Sequence, residues 1–290
     1  MKAIVVGAGA WGTAFATVLR AGDHEVVMAT RDSLDDVPYE DAAVVVLAVP
    51  SRAFREALTH VRGNAPILVL TKGLEPETGD RLSTLVTGRP VAVLSGPNMA
   101  EEVEDWLPAA TVIASEDEEL ASWLQREIAS PLFRVYVNTD LVGVELCGAM
   151  KNVIALACGA VDGLGLGDNA KAALVTRGLV EMGRLAEVAG ARPETFAGLA
   201  GMGDLIVTCW SKSGRNRRCG ELVAQGVTPS EAAREIGTVV EGLTTAPVLR
   251  DLAHRLDVEM PITEGVCAVL DGIPLTELLG RLMERDPTIE

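Results

Sequence analysis

The sequence predicts an α/β fold, a doubly wound parallel sheet over residues 1–138 followed by an all-helical domain over residues 139–290. Three observations predict it. Runs rich in Val and Ile alternate with helical stretches through the first half. Those runs lack clean polar and apolar alternation, as strands covered on both faces do. From about Thr139 the texture changes to Ala, Leu, Gly and Glu in long helical patterns. At 290 residues the chain also exceeds one typical domain, so two are expected.

The strand runs, in order, are KAIVVGA from Lys2, HEVVMAT from His24, AVVVLAVP from Ala43, PILVLTKG from Pro66, VAVLSGP from Val91, ATVIAS from Ala110 and FRVYV from Phe133. The later helical patterns span Val142–Val161, Asn169–Ala189, Pro193–Ala200, Arg218–Gln225, Pro229–Ile236, Thr244–Leu256, Ile262–Leu270 and Leu275–Met283.

With 48% hydrophobic residues and only 3% aromatics, the cores are built from Ala, Val, Leu and Ile. A strand-like run at the first residues leaves no room for a signal sequence, and the apolar runs look far shorter than a membrane span, so a cytoplasmic location is expected. The five cysteines form no CxxC pair and read as buried free thiols, with no metal site suggested. A formal net charge of −16 argues against nucleic acid or an anionic membrane as partner. An anionic substrate would need a local cluster of positive groups.

Gly7, Gly9 and Gly12 form G-x-G-x-x-G between the first strand run and an Ala-rich helix. The first glycine allows a tight turn, the second lets backbone approach a pyrophosphate, and the third packs helix on strand. Together they make the sheet Rossmann-type and imply NAD or NADP. The second run ends in ATRD, at the distance where such proteins meet the adenosine ribose. Arg31 suits a 2′-phosphate, so NADPH is accepted, while Asp32 beside it reads equally as an exposed turn residue.

Three later runs end in the loops AVPS, TKG and SGPN, and ligands bind outside the carboxyl ends of such strands. Lys72 therefore stands where cofactor and substrate meet, unless it is an ordinary surface lysine. Within VELCGAMKNVIALACGAV, Lys151 lies in an apolar helix whose neighbours at three and four positions include no carboxylate. Three readings are open: a stem along a buried face with the ammonium in water, a tertiary salt bridge, or a group that exchanges a proton or holds an anion. Asp204 and Thr208 lie four apart in GMGDLIVTC, and Lys212, Arg215, Arg217 and Arg218 cluster around Asn216 as a candidate anion site. Glu241 in VVEG is a ribose or amide partner or a surface carboxylate.

GAGAWGTAFA, LTKGLEPETG, SGPNMAEEV, LCGAMKNVIALACGAVDGLGLGDNAKAALVTRGL, GMGDLIVTC, GRNRRCG, VVEG and MPITE resemble the NAD(P)-dependent glycerol-3-phosphate dehydrogenases over nearly the whole chain. The resemblance implies reduction of dihydroxyacetone phosphate to sn-glycerol 3-phosphate, or the reverse, supplying phospholipid synthesis. It implies Lys151 as proton donor and acceptor, with Lys72 and Asp204 beside it. It implies substrate contacts at Lys72, Gly96, Asn98, Lys151, Asn152, Asp204, Thr208, Gly214, Arg215 and Asn216. For the cofactor it implies Ala10, Trp11, Arg31, Lys72, Ala100, Arg215, Val239 and Glu241 besides the glycines.

There are three departures from the pattern. The family usually has Ser or Thr at Asn98 and commonly Ser at Gly214. Only nine residues separate Arg31 from Asp41, where the family has a much longer segment, so one strand of the usual sheet is expected to be missing. The competing readings are a 3-hydroxyacid or ketopantoate type reductase and a non-catalytic cofactor-binding regulator. A homodimer is left open.

Overall fold

The computed structural model describes residues 1–275 and 277. Its first part runs β1 (Lys2–Val6), α1 (Ala10–Ala21), β2 (Glu25–Ala29), β3 (Val44–Leu47), α2 (Ser51–His60), β4 (Ile67–Val69), β5 (Val91–Ser95), α3 (Ala100–Glu104), β6 (Ala109–Ala114), α4 (Glu118–Ile128) and β7 (Phe133–Asn138). Each expected strand run contributes one strand to a single sheet of order β2-β1-β3-β4-β5-β6-β7. Alternate residues face opposite ways. Ile4, Val6, Val45, Leu47, Ile67 and Val69 enter one core, and Ala3, Val5, Val44, Val46 and Leu68 enter the other with Phe15, Leu19 and Leu124.

Two expectations need correction. The sheet is not wholly parallel, because β6 runs antiparallel to β5, with Ser95 opposite Val112. The link between them is the five-residue α3 and its flanking turns, which bring the chain back alongside β5 instead of across the sheet. Nor does every strand alternate with an α-helix. The β2–β3 link holds only the 3-10 turns Arg31–Asp36 and Tyr39–Asp41, and the β4–β5 link only Leu82–Leu85.

The usual dinucleotide-binding sheet carries a further strand outside the second one, in the order 3-2-1-4-5-6. Here β2 is the edge, and no described strand lies beyond it. The short segment after Arg31 has indeed removed a strand's worth of chain on that side.

The second part runs α5 (Leu141–Gly163), α6 (Gly167–Val188), α7 (Pro193–Phe196), a π-helical turn (Leu199–Gly203), α8 (Asp204–Trp210), α9 (Arg215–Ala224), α10 (Pro229–Ile236), α11 (Glu241–Arg255) and α12 (Pro261–Leu270). The expected helix over 275–283 lies almost wholly outside the described residues. Asp140 starts α5 by accepting the Gly143 N–H at 2.9 Å. At 23 residues, α5 is long and apolar enough to cross a bilayer, which corrects the expectation from run lengths. Interrupting Glu145 and Lys151 hid that length in the sequence. Yet 89% of its most apolar window is buried inside the protein, where Cys147, Met150 and Ile154 pack in the same core as Ile4, Leu47 and Val69. Helix α5 thus covers the sheet face that the short links leave bare.

The axis of the helical part is the crossing of α5 and α9. A Cβ on Gly159 would sit 1.9 Å from the Arg217 carbonyl oxygen, and one on Gly220 1.9 Å from that of Leu156. The two glycines let the backbones touch. The start of α9, with Arg215 and Asn216, is thereby set against the middle of α5. All five cysteines are buried and free, as expected.

Candidate active site

A cleft of about 1210 Å³ runs between the carboxyl ends of β1 to β5 and the helices α5, α8, α9 and α11. Its floor is the glycine-rich turn. Gly7 has φ +112°, and a Cβ there would lie 2.6 Å from the Ala48 carbonyl oxygen. A Cβ on Gly12 would strike the Gly7 carbonyl oxygen at 2.0 Å, so α1 packs directly on the turn. A Cβ on Gly9 would meet no protein atom within 4 Å, yet Gly9 lines the cleft at the uncapped N-terminus of α1. This is a cradle that a side chain would fill, open to a pyrophosphate. Trp11 lines it too, with its indole N–H buried and unpartnered. These residues fit a dinucleotide.

Arg31, Ala100, Val239 and Glu241 all line the same cleft. The Arg31 side chain is 84% exposed and, among the described residues, its one ion pair is with Glu56 at 3.8 Å, which leaves the guanidinium accessible. Glu241 is less free than the sequence suggested. It accepts from the Ser51 N–H at 3.2 Å and the Ser51 hydroxyl at 2.7 Å, tying α11 to the start of α2. Burial raises its pKa, against the pull of the Ser51 bonds and of Arg215.

At the centre stand two lysines and one carboxylate. Asp204, 1% exposed at the start of α8, receives Lys151 Nζ on Oδ1 at 2.5 Å and Lys72 Nζ on Oδ2 at 2.6 Å. Thr208, one turn on, accepts from Lys151 at 2.8 Å, so the i, i+4 pairing expected of Asp204 and Thr208 is present. Lys151 is 6% exposed, which excludes a stem that merely carries its charge out to water. Its salt bridge is tertiary, to a residue 53 positions away. Burial pulls its pKa down from 10.5 to about 7, helped by the charge of Lys72 and opposed by Asp204. For Asp204 burial works upward, but two ammonium groups outweigh it and hold the carboxyl below its usual value. One carboxylate shared by two lysines cannot fully compensate both, and Lys151, the more buried, yields.

Around this centre, Lys72 also approaches the Gly96 carbonyl and Asn98 Oδ1, both at 3.4 Å. Gly96 stands just behind the cleft wall, while Asn98 and Asn152 line it. Asn216 donates to Asn152 at 3.0 Å and accepts from the Gly242 N–H at 2.8 Å, so one donor and one acceptor site of its amide are used in joining α9, α5 and α11. Gly214 caps α9 with no side-chain bond, leaving the first N–H groups of that helix beside Arg215 in the cleft.

The anion cluster is smaller than the sequence implied. Arg217 is buried against Asp162, Glu221 and the Ser211 carbonyl, and Arg218 pairs with Glu221 and Glu235. Two residues along a helix is a turn of about 200°, so Arg217 faces α5 where Arg215 faces the cleft. Among the described residues Lys212 and Arg215 make no ion pair, and both line the cleft. Sequence reasoning missed Ser95, which donates to Asp204 at 3.3 Å, and Thr111, which holds Asn98. Ser95 opens the SGPN loop and was within reach of that motif, whereas nothing in ATVIAS marks Thr111.

A glycine-rich turn on a mostly parallel sheet, in one cleft with the lysines of a buried Lys–Asp–Lys centre, defines a dinucleotide-dependent oxidoreductase acting on a small molecule. The models of the NAD-dependent glycerol-3-phosphate dehydrogenase N-terminus and C-terminus match residues 33–121 and 140–279. The chain belongs to this family. It is 43% identical to glycerol-3-phosphate dehydrogenase [NAD(P)+] of Halorhodospira halophila, covering 99% of this chain and 97% of that one. That alignment spans 323 positions against a chain of 290, in keeping with the short segment after Arg31. The crystal structure of glycerol-3-phosphate dehydrogenase from Coxiella burnetii superposes with a TM-score of 0.92 at 37% identity, over 98% of this chain and 99% of that one. A ketopantoate reductase from Ralstonia eutropha shares the fold at a TM-score of 0.57 and 16% identity, over 96% of this chain and 100% of that one.

Proposed function

We propose that the chain reduces dihydroxyacetone phosphate to sn-glycerol 3-phosphate with NADPH or NADH, and catalyses the reverse oxidation. The observation that carries this reading is the Lys151–Asp204–Lys72 centre, whose two lysines line the same cleft as the open glycine turn and Arg215 at the start of α9, with Asp204 buried behind them. Residues 1–138 hold the dinucleotide and residues 139–290 supply the acid and the anion site. The product feeds phospholipid synthesis, the role that fits the family, and the setting we assign is the cytoplasm. A homodimer belongs to the same proposal, with exposed Met202, Ile206 and Trp210 on and beside α8 offering apolar surface.

When bound, the nicotinamide supplies a hydride to the ketone carbon. Gly7, Gly9, Ala10 and the start of α1 would hold the pyrophosphate of the dinucleotide, with Trp11, Ala100, Val239 and Glu241 lining the same cleft and Arg31 available to its adenosine end. Arg215, the free N–H groups of α9 and Lys212 hold the substrate phosphate, which turns the ketone toward Lys151. Lys151, with two of its three protons on Asp204 and Thr208, has one left for the ketone oxygen. A pKa of about 7 suits both directions, since the group gives its proton in reduction and takes it back in oxidation. Lys72 adds positive charge where the oxygen becomes negative. Asp204 sets the position of both lysines.

Mixing the protein with NADPH or NADH and dihydroxyacetone phosphate, and following nicotinamide absorbance, tests the reading. Turnover with dihydroxyacetone phosphate well above that with ketopantoate supports it. Preference for the carboxylate substrate transfers the chain to the rival reading, and cofactor binding without turnover on either makes it a regulator.

A further inference from the structure

Thr111 lies on β6, fully buried, and does not line the cleft. Its hydroxyl donates to the Ser95 carbonyl at 3.2 Å. With that proton spent, Oγ1 is left as an acceptor, and it takes the Asn98 Nδ2 N–H at 2.9 Å. On the other side of the same amide stands the Lys72 ammonium, a donor only, 3.4 Å from Oδ1. Both ends demand the same orientation, with nitrogen toward β6 and oxygen toward Lys72.

The fold is shaped around this contact. The antiparallel run of β6 brings its first half, not its last, to the carboxyl end of β5, and so sets Thr111 beside the loop that carries Asn98. Gly96 permits the approach, for a Cβ there would lie 2.8 Å from the Thr111 Cα and 3.1 Å from its hydroxyl oxygen.

We propose that Thr111 is a positioning residue that holds the Asn98 oxygen toward Lys72 and the cleft, and thereby selects a substrate with a hydroxymethyl group, not a carboxylate, beside its ketone. An amide oxygen has two acceptor sites, and Lys72 reaches it only at long range, so capacity remains for an O–H donor. The same oxygen repels a carboxylate. A reversed amide would press its NH2 against the Lys72 ammonium and offer donors to the cleft, the arrangement a 2-oxo acid prefers. The inference rests on the proposed reduction of dihydroxyacetone phosphate and names what that site reads at the end away from the phosphate.

The test compares three phosphates in the intact protein: dihydroxyacetone phosphate, hydroxyacetone phosphate, which lacks the hydroxyl, and 3-phosphohydroxypyruvate, which has a carboxylate in its place. Thr111→Val deletes the hydroxyl at nearly constant volume. Its kcat/KM for dihydroxyacetone phosphate should fall by roughly tenfold or more relative to each of the other two, because the acceptor is no longer held. Thr111→Ser should restore both ratios. In an Asn98→Ala background, where no amide remains to orient, adding Thr111→Val should leave the ratios where Asn98→Ala puts them. That double variant also leaves no buried amide unpaired, so it answers the question should Thr111→Val alone fail to fold. Equal losses on all three substrates, unchanged ratios, or a further shift in the double variant overturn the assignment of Thr111. A parent protein that does not reduce dihydroxyacetone phosphate at all overturns the functional reading first, and this inference with it.

Discussion

Lys151→Met deletes an ammonium and keeps most of the stem, at a site where the consequences can be worked out. Asp204 would not be orphaned, since Lys72 at 2.6 Å and Ser95 and Thr208 at 3.3 Å still reach its carboxylate. The core around Met150 and Ile154 keeps its packing. What the variant loses is the proton that the proposed mechanism delivers to the ketone oxygen. General acid catalysis is worth roughly a hundred- to ten-thousand-fold, so the reduction rate should drop by at least the lower figure. At about 1.4 kcal/mol per tenfold, this is a barrier increase of roughly 3–5 kcal/mol.

The same variant carries a second readout, in stability. In the folded chain Lys151 releases its proton near pH 7, while the unfolded chain keeps it to about 10.5. Between those values the unfolded state binds more protons, so the parent gains stability as pH rises through that window. The gain for this one group is on the order of a few kcal/mol. Lys151→Met should lack the slope and be no less stable than the parent at pH 7. The assays are steady-state reduction of dihydroxyacetone phosphate, fluorescence titration with NADPH, and thermal melts from pH 6.5 to 9.5. A variant that binds NADPH normally and turns over within about tenfold of the parent would refute the acid role, because that loss is below the range for general acid catalysis. Lower stability at pH 7 together with lower activity would make Lys151 a structural salt-bridge partner instead.

Other outcomes follow from the same geometry. Reduction by the parent should fall as pH rises through about 7, and oxidation should fall as pH drops through it; Lys72→Met, by removing a like charge, should move that inflection upward in a kcat profile. Arg215→Ala should lower kcat/KM for dihydroxyacetone phosphate by roughly 10–100-fold while changing that for unphosphorylated dihydroxyacetone far less, and equal losses would make Arg215 structural. Arg31→Ala should raise the KM for NADPH roughly tenfold over any change for NADH, since its exposed guanidinium has only a distant Glu56 to leave, and equal changes would show that it does not read the 2′-phosphate.

Much of this arrangement was legible in the chain, for reasons that differ from place to place. All seven strands could be found because Val and Ile crowd them and the links are rich in Gly, Pro and polar residues. The direction of β6 could not, since composition carries no sign for parallel against antiparallel. Lys151 drew attention because its own helix offers no partner, but the identity of the partner, Asp204, depends on how α8 folds back onto α5. Helix α8 itself was visible only as the Asp204–Thr208 spacing, being seven residues long behind a glycine-rich π turn. Arg217 was pooled with Arg215 because sequence proximity ignores which face of a helix each takes, and the structure spends it on Asp162. Thr111 carries no motif, and its contact with Asn98 exists only because β6 reverses.

Isotope transfer tests the central claim most directly. With NADPH carrying deuterium at the transferable position of its nicotinamide, the parent protein and dihydroxyacetone phosphate should yield glycerol 3-phosphate with a single deuterium on the central carbon, seen by NMR, and only the sn-3 enantiomer by an enantioselective assay. Oxidation of NADPH without labelled glycerol 3-phosphate, or deuterium appearing in solvent instead of on that carbon, would contradict the account.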